Sequence, residues 1–247
     1  MVCGATGSST TAYFTIENTG GVDATALTPS GFTTPPFDFT GGAYPGSGGT
    51  CGTTLSAGST CTIAVNYAPA APGLTLQTLQ IDYNNGAVVL PITKDFQGTA
   101  VAPANITVSD GPTFDYAQRA TGSQTVQVFT VDNVGGVPAT LMNGTGLALP
   151  YQFEGGIYPG TSGNCGVTLA ALANCTIAVV FAPTVLGVVG DTINMNYHDG
   201  VAAQLTPRPV TGEGVNPAFL TVGGANPFNY GVHATTTVTS NIFTRPF

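Results

Sequence analysis

Cysteine is the reactive side chain that recurs at a fixed spacing in this sequence. Cys51 and Cys61 return 114 residues later as Cys165 and Cys175, and a fifth, Cys3, stands outside the pattern. Each pair brackets nine residues containing a turn, Ala57-Gly58 in the first and Leu172-Ala173 in the second. A hairpin of that length brings two sulfurs face to face, and a disulfide closing so small a loop contributes about 3 kcal/mol in the chain-entropy picture. The competing reading is a pair of buried thiols. A zinc site fits poorly, because the spacing is wrong and neither histidine is near in sequence. Two disulfides imply an oxidising compartment, hence secretion to the extracellular space or cell surface. Cys3 is then an unpaired thiol, a bridge to another chain, or a residue whose partner lies outside this sequence.

Acid–base and nucleophilic chemistry have few candidates. A Ser-His-Asp arrangement would need His198 or His233, yet His198 adjoins an Asp199-Gly200 turn and neither recurs as histidine in another copy of the repeat. Paired carboxylates are tested by comparing the copies: Asp38 aligns with Gln152, Asp82 with Asn196, Asp115 with Asn229, and Asp191 with Gln77. Glu17 and Asp132 do agree, but they precede Asn-x-Gly-Gly turns, where solvent exposure or turn support is expected rather than calcium ligation. The sequence therefore assigns no catalytic residue, no metal and no cofactor, and the expectation is a protein that is not an enzyme.

Charge narrows the partners. Four Lys plus Arg stand against twelve Asp plus Glu, for a net charge of −8, and only 6% of residues are charged, against about 25% in an ordinary soluble domain. Nucleic acid, which needs clustered cations, is not an expected partner. A free monomer keeps itself soluble with a mixed charged surface, so a surface of Thr, Ser, Gly, Ala and Val suits a protein covered by neighbours. The alternative is a secreted, Thr-rich domain that is weakly charged or glycosylated. The sequons at Asn105, Asn143 and Asn174 are too common a pattern to decide this. No stretch approaches eighteen apolar residues, so no membrane span is expected. Met1 leads directly into repeat sequence without a basic segment or apolar run, and the chain reads as a mature or excised part of a longer product.

The cysteines sit in a larger duplication. Pro36, Gly73, Tyr83 and Gly98 recur as Pro150, Gly187, Tyr197 and Gly212, Gly4 to Gly21 matches Arg119 to Gly136, and Phe228 to Thr244 matches Phe114 to Thr130. A period of about 114 residues is enough for a domain with its own core. Within each copy the apolar residues alternate: Ile63, Val65 and Tyr67 correspond to Ile177, Val179 and Phe181, and Leu79, Ile81 and Tyr83 to Ile193, Met195 and Tyr197. Period two predicts strands. Asn85-Gly86 and Asp199-Gly200 predict two-residue type I′ hairpin turns, and no run of ten residues has helical spacing. The predicted class is all-β: tandem immunoglobulin-like Greek-key β-sandwiches with an extra C-terminal strand segment. The units are 1–102, 103–216 and 217–247, the last being the start of a third copy.

The string C-G-x-T-L-x-A-x-x-x-C-T-I-A-V-x-aromatic-A-P, at Cys51 to Pro69 and again at Cys165 to Pro183, resembles the choice-of-anchor D repeat of bacterial surface proteins, itself similar to hydin-like immunoglobulin domains. Phe114 to Tyr116, Asn133 to Gly136 and Gly212 agree with that pattern, so the resemblance covers nearly the whole chain. It implies an extracellular spacer, adhesive stalk or enzyme appendage, and no catalytic residues to carry over. The sequence departs from it at Ala117, where the resemblance implies Gly; Gly231 in the third copy keeps it.

Two features point to partners. The motif G-G-x-Y-P-G places Tyr44 and Tyr158 in loops just before each cysteine pair, where an aromatic ring can stack on a host or surface glycan, anchor a protein, or pack over its own hairpin. At the ends of the sequence, the first unit begins at the equivalent of Gln118 and lacks a counterpart of Ile106 to Tyr116, its expected first edge strand, while Leu220 to Tyr230 repeats that segment with no domain after it. An open sheet edge and an orphan strand invite β-strand addition between molecules, as in pilin donor-strand complementation. Donor and acceptor lie at opposite ends, so the contact propagates into a fibre unless it closes into a ring. The expected polymerisation strand is Leu220, Val222, Phe228 and Tyr230, inserting into the first unit of another copy. Two other readings remain open, a stalk segment of a long adhesin and a glycan-binding module of a secreted enzyme. The redundancy of Thr235 to Thr244 with Thr6 to Ile16 counts against simple exchange.

Overall fold

The computed structural model describes residues 2–32, 35–224, 229–232 and 240. The first unit contains β1 (Val2–Ala5), β2 (Thr10–Glu17), β3 (Ala24–Ser30), β4 (Phe37–Phe39), β5 (Thr54–Leu55), β6 (Thr60–Tyr67), β7 (Gly73–Asn84) and β8 (Val89–Val101). The second contains β9 (Ile106–Val108), β10 (Phe114–Ala120), β11 (Thr125–Asn133), β12 (Ala139–Thr145), β13 (Tyr151–Phe153), β14 (Thr168–Leu169), β15 (Asn174–Phe181), β16 (Gly187–His198) and β17 (Ala203–Val215), with one 3-10 turn at Glu154–Gly156. Among the described residues no sheet is shared between the units. Each is a two-sheet sandwich, β1-β8-β7-β3-β5 over β2-β6-β4 in the first and β10-β17-β16-β12-β14 over β13-β15-β11-β9 in the second. The all-β sandwich class expected from the alternation is the observed one.

The alternation places the core. Ile177, Val179 and Phe181 of β15 are fully buried against Ile193 and Met195 of β16, and the first unit repeats this with Ile63, Val65 and Tyr67 against Leu79 and Ile81. The opposite face of β15 is covered as well, because Ala178 is also fully buried. The loop carrying Tyr158 lies over it: Ala178 donates its N–H to the Pro159 carbonyl at 2.8 Å, as Ala64 does to Pro45. A Cβ on Gly160 would come 2.4 Å from the Ala178 carbonyl oxygen, so glycine and a small strand residue are both required there.

The β7–β8 and β16–β17 turns depart from the type I′ expectation. Of Asn85-Gly86 only Gly86 takes a positive φ (93°). Asn85 instead accepts the N–H groups of Ala87 and Val88 on its side-chain oxygen, both at 2.9 Å, and each loop runs four residues between strands. Asp199 does the same for Val201 and Ala202 at 2.7 Å. A side chain that mimics a backbone carbonyl closes the turn without a left-handed first residue. Ala117 does take a left-handed φ of 57°, at a register shift between β10 and β17, a conformation that favours the glycine the resemblance implies.

Candidate functional site

Both cysteine pairs are disulfides, with Cα atoms 4.8 Å apart for Cys51–Cys61 and 4.9 Å for Cys165–Cys175. The hairpin expected between them is not there. β5 pairs with β3 and β14 with β12, in the sheet opposite the strand that carries the second cysteine. Each disulfide therefore staples a loop that passes from one sheet to the other. Leu172 takes the left-handed φ (58°) that Gly58 takes in the first copy.

The loop tyrosines pack on their own units. Tyr44 meets Phe39 edge-on at 5.4 Å and Tyr158 meets Phe153 at 5.6 Å, and the Tyr158 hydroxyl donates to the Gly166 carbonyl at 3.3 Å. Burial raises both phenols, Tyr158 to about 12. Among the described residues no group of three or more His, Cys, Asp or Glu could hold a metal ion, and no helix is long and apolar enough to cross a membrane. His198 accepts the Gly200 N–H on Nδ1 at 3.1 Å. His233 lies outside the described residues, as does the side chain of Cys3.

A concave surface runs along the first sandwich, between β2 and β8. It comprises three contiguous grooves of about 300, 350 and 190 Å³. Ile16, Ile81 and Ile92 line the first two, Phe14 joins the second to the third, and Val65, Tyr67 and Phe37 line the third. In the second sandwich this side is closed by the segment Ile106 to Tyr116. The sequence predicts one edge strand there, but the segment forms two. β9 adds to β11 in one sheet, with Val108 opposite Val131, and β10 adds in parallel to β17 in the other, with Phe114 opposite Val210. Ile106, Val108 and Tyr116 are thereby at most 5% exposed, and Phe129 and Val131 are fully buried. Their first-unit counterparts, Phe14 and Ile16, are only half-buried. β1 supplies the remaining half of β10, pairing Val2 with Gly98 and Cys3 with Thr99.

One face of β8, which brings Ile92, Lys94 and Phe96 to the grooves, differs in chemistry from the same face of β17. Leu90, Ile92, Lys94 and Phe96 stand where β17 has Gln204, Thr206, Arg208 and Val210. Leu90 and Ile92 are 39% and 40% exposed although they point between the sheets. Phe96 is buried and lies 4.9 Å edge-on from Phe14, with Phe32 5.2 Å away. In the second sandwich Phe114 takes the equivalent place, 5.3 Å from Phe129. An aromatic ring from β8 thus fills part of what β10 fills in the second copy.

Of the expected polymerisation strand, Leu220 and Val222 are 92% and 89% exposed and Tyr230 is 55% exposed, while Phe228 lies outside the described residues. Sequence reasoning did not single out Ile92, Lys94 and Phe96. The signal was available in the copies, since an inward-facing strand position that changes from Thr to Ile and from Val to Phe marks a changed neighbour.

No protein-family model matches the chain, and no curated protein matches it. Among solved structures it is similar to a protein of unknown function from Porphyromonas gingivalis W83, with 14% identity over 83% of this chain and 91% of that one and a TM-score of 0.36. It is also similar to the ASH / PapD-like domain of human CEP192, with 13% identity over 55% of this chain and 98% of that one and a TM-score of 0.36. A third likeness is to the Vibrio cholerae VesB protease, with 15% identity, a TM-score of 0.37, and 44% of this chain covering 31% of that one. The architecture rests on the strand order itself.

Proposed function

We propose that this chain is a non-catalytic structural protein outside the cell, a subunit of a surface filament or fibre built head to tail by β-strand complementation. The observation that carries the reading is a correspondence. The grooves of the first sandwich lie where Ile106, Val108 and Tyr116 lie in the second, and Leu220, Val222, Phe228 and Tyr230 repeat Ile106, Val108, Phe114 and Tyr116 in type and spacing. A strand added there from another copy gains main-chain hydrogen bonds from β2 and apolar contacts from alternate side chains. Two disulfides accord with an oxidising compartment, and the sparse charge accords with a surface covered by neighbours.

Size-exclusion chromatography and electron microscopy of the 247-residue chain, with and without residues 218–247, test this. The expected result is a concentration-dependent series of oligomers or filaments that the truncation abolishes. A monomer indifferent to truncation overturns it and favours a stalk segment of a long adhesin. The packing of Tyr44 and Tyr158 on Phe39 and Phe153 gives no particular support to a glycan-binding module.

A further inference from the structure

β9 presents two edges. One pairs with β11, and the other is met by side chains from the facing sheet. The Ile106 N–H donates to the Tyr197 hydroxyl at 3.3 Å, the Thr206 hydroxyl donates to the Ile106 carbonyl at 3.0 Å, and the Arg208 guanidinium donates to the Val108 carbonyl. Eight residues beyond Val108, Tyr116 sits 5.7 Å from Tyr151 and 5.5 Å from Phe181, and its hydroxyl donates to the Val179 carbonyl at 2.8 Å.

The first sandwich keeps part of this set and changes the rest. Tyr83 stands for Tyr197 and Lys94 for Arg208, so an acceptor for a strand N–H and a cationic donor for a strand carbonyl persist, and both line the groove. Val65, Phe37 and Tyr67 stand for Val179, Tyr151 and Phe181 and line the third groove, whose roughly 190 Å³ is on the scale of one aromatic side chain. Ile92 replaces Thr206, exchanging a hydrogen bond for apolar contact. Phe96, against Phe14, already occupies the position equivalent to Phe114.

Resting on the strand-exchange reading above, we infer that the groove accepts its strand in a single register. Tyr83 and Lys94 read the outer edge at one end, and a tyrosine socket formed by Phe37, Tyr67 and the Val65 carbonyl reads the other. The occupant is residues 220–230 of a second copy. The Leu220 N–H meets Tyr83, the Val222 carbonyl meets Lys94, and the Tyr230 ring enters the socket. Phe228 has no pocket, because Phe96 fills it. The groove thus selects an aliphatic-x-aliphatic strand followed eight residues later by tyrosine. A second copy supplies that pattern, and in the chain's own fold Leu220 and Val222 stay 92% and 89% exposed rather than seated.

The test is the critical assembly concentration of the full chain by sedimentation velocity, for wild type, Tyr230→Ala, Phe228→Ala, Lys94→Met, Lys94→Arg and Tyr83→Phe, with thermal unfolding of each variant as the control for folding. Loss of the socket contact in Tyr230→Ala is expected to raise the concentration at least about tenfold, the equivalent of about 1.4 kcal/mol. Lys94→Met and Tyr83→Phe raise it severalfold, Lys94→Arg restores it, and Phe228→Ala stays within about twofold. Equal losses in Phe228→Ala and Tyr230→Ala, or a Tyr230→Ala chain that assembles normally, overturn the register while leaving strand exchange intact. A wild-type chain that never assembles overturns both.

Discussion

The two sandwiches share a staple, a covering loop and a core, and differ along one side. In the second, β9 and β10 close the space between the sheets, and the strand behind them carries Thr206 and Arg208, which donate to the outer edge of β9, and Gln204, which donates to the Asp199 carboxylate. In the first, that strand carries Ile92 and Lys94 along an open groove, and Phe96 grows inward from the position of Val210. A sandwich core tolerates a gap in its wall when a neighbouring strand turns a larger ring into part of it. What stays open is lined by Ile16, Ile81 and Ile92 together with polar groups such as Glu17 and Lys94.

Breaking the closed side should produce the largest effect. Tyr116→Ala empties a site that is 1% exposed and removes the bond to the Val179 carbonyl. Guanidinium unfolding of the chain should show the second unit losing about 4 kcal/mol, the cost of truncating a buried aromatic, with the first unit unmoved. A loss shared by both units would break the separation of the two cores. The staple sharpens the likeness instead. Cys51→Ser with Cys61→Ser and Cys165→Ser with Cys175→Ser each open a loop of the same length, so each should cost its own unit about 3 kcal/mol. A twofold disparity would show that the open side alters what the disulfide secures.

The smallest effect separates the units by pH. Asp199 in the second unit corresponds to Asn85 in the first. Burial alone would raise the Asp199 carboxyl, but hydrogen bonds from the Ala202 and Val201 N–H groups and the Gln204 amide, with His198 nearby, outweigh it and hold the group below its ordinary 3.8. A depressed carboxylate contributes stability that is present above the unfolded-state value and is lost as pH falls through the folded one. The second unit should therefore lose stability below about pH 4 in thermal scans, and Asp199→Asn should remove that dependence. Acid sensitivity that persists in the variant would place its source elsewhere.

The repeat made much of this legible in advance. Two aligned copies exposed the cysteine pairs, the inward residues of β6 and β15, and the strand class, because those signals are local in sequence. The turns were half legible: Gly86 and Gly200 mark the bend, but the roles of Asn85 and Asp199 depend on where their side-chain oxygens point. The disulfide pairing was readable, while its setting was not, since Thr54 and Leu55 pair with a strand that lies about thirty residues earlier in the opposite sheet. Ile106 to Tyr116 was readable as an element but not as two strands in different sheets.

Alternation of apolar side chains and the spacing of cysteines are properties of the chain alone, so the sequence by itself determined an all-β, twice-written, sulfur-stapled module. Which face each strand closes, which loop covers Ala64 and Ala178, and that Ile92, Lys94 and Phe96 look into a groove beside β2 were decided only in the tertiary structure. Contacts between residues eighty positions apart leave no periodicity along the chain, and only the stacking of two sheets brings them to one side.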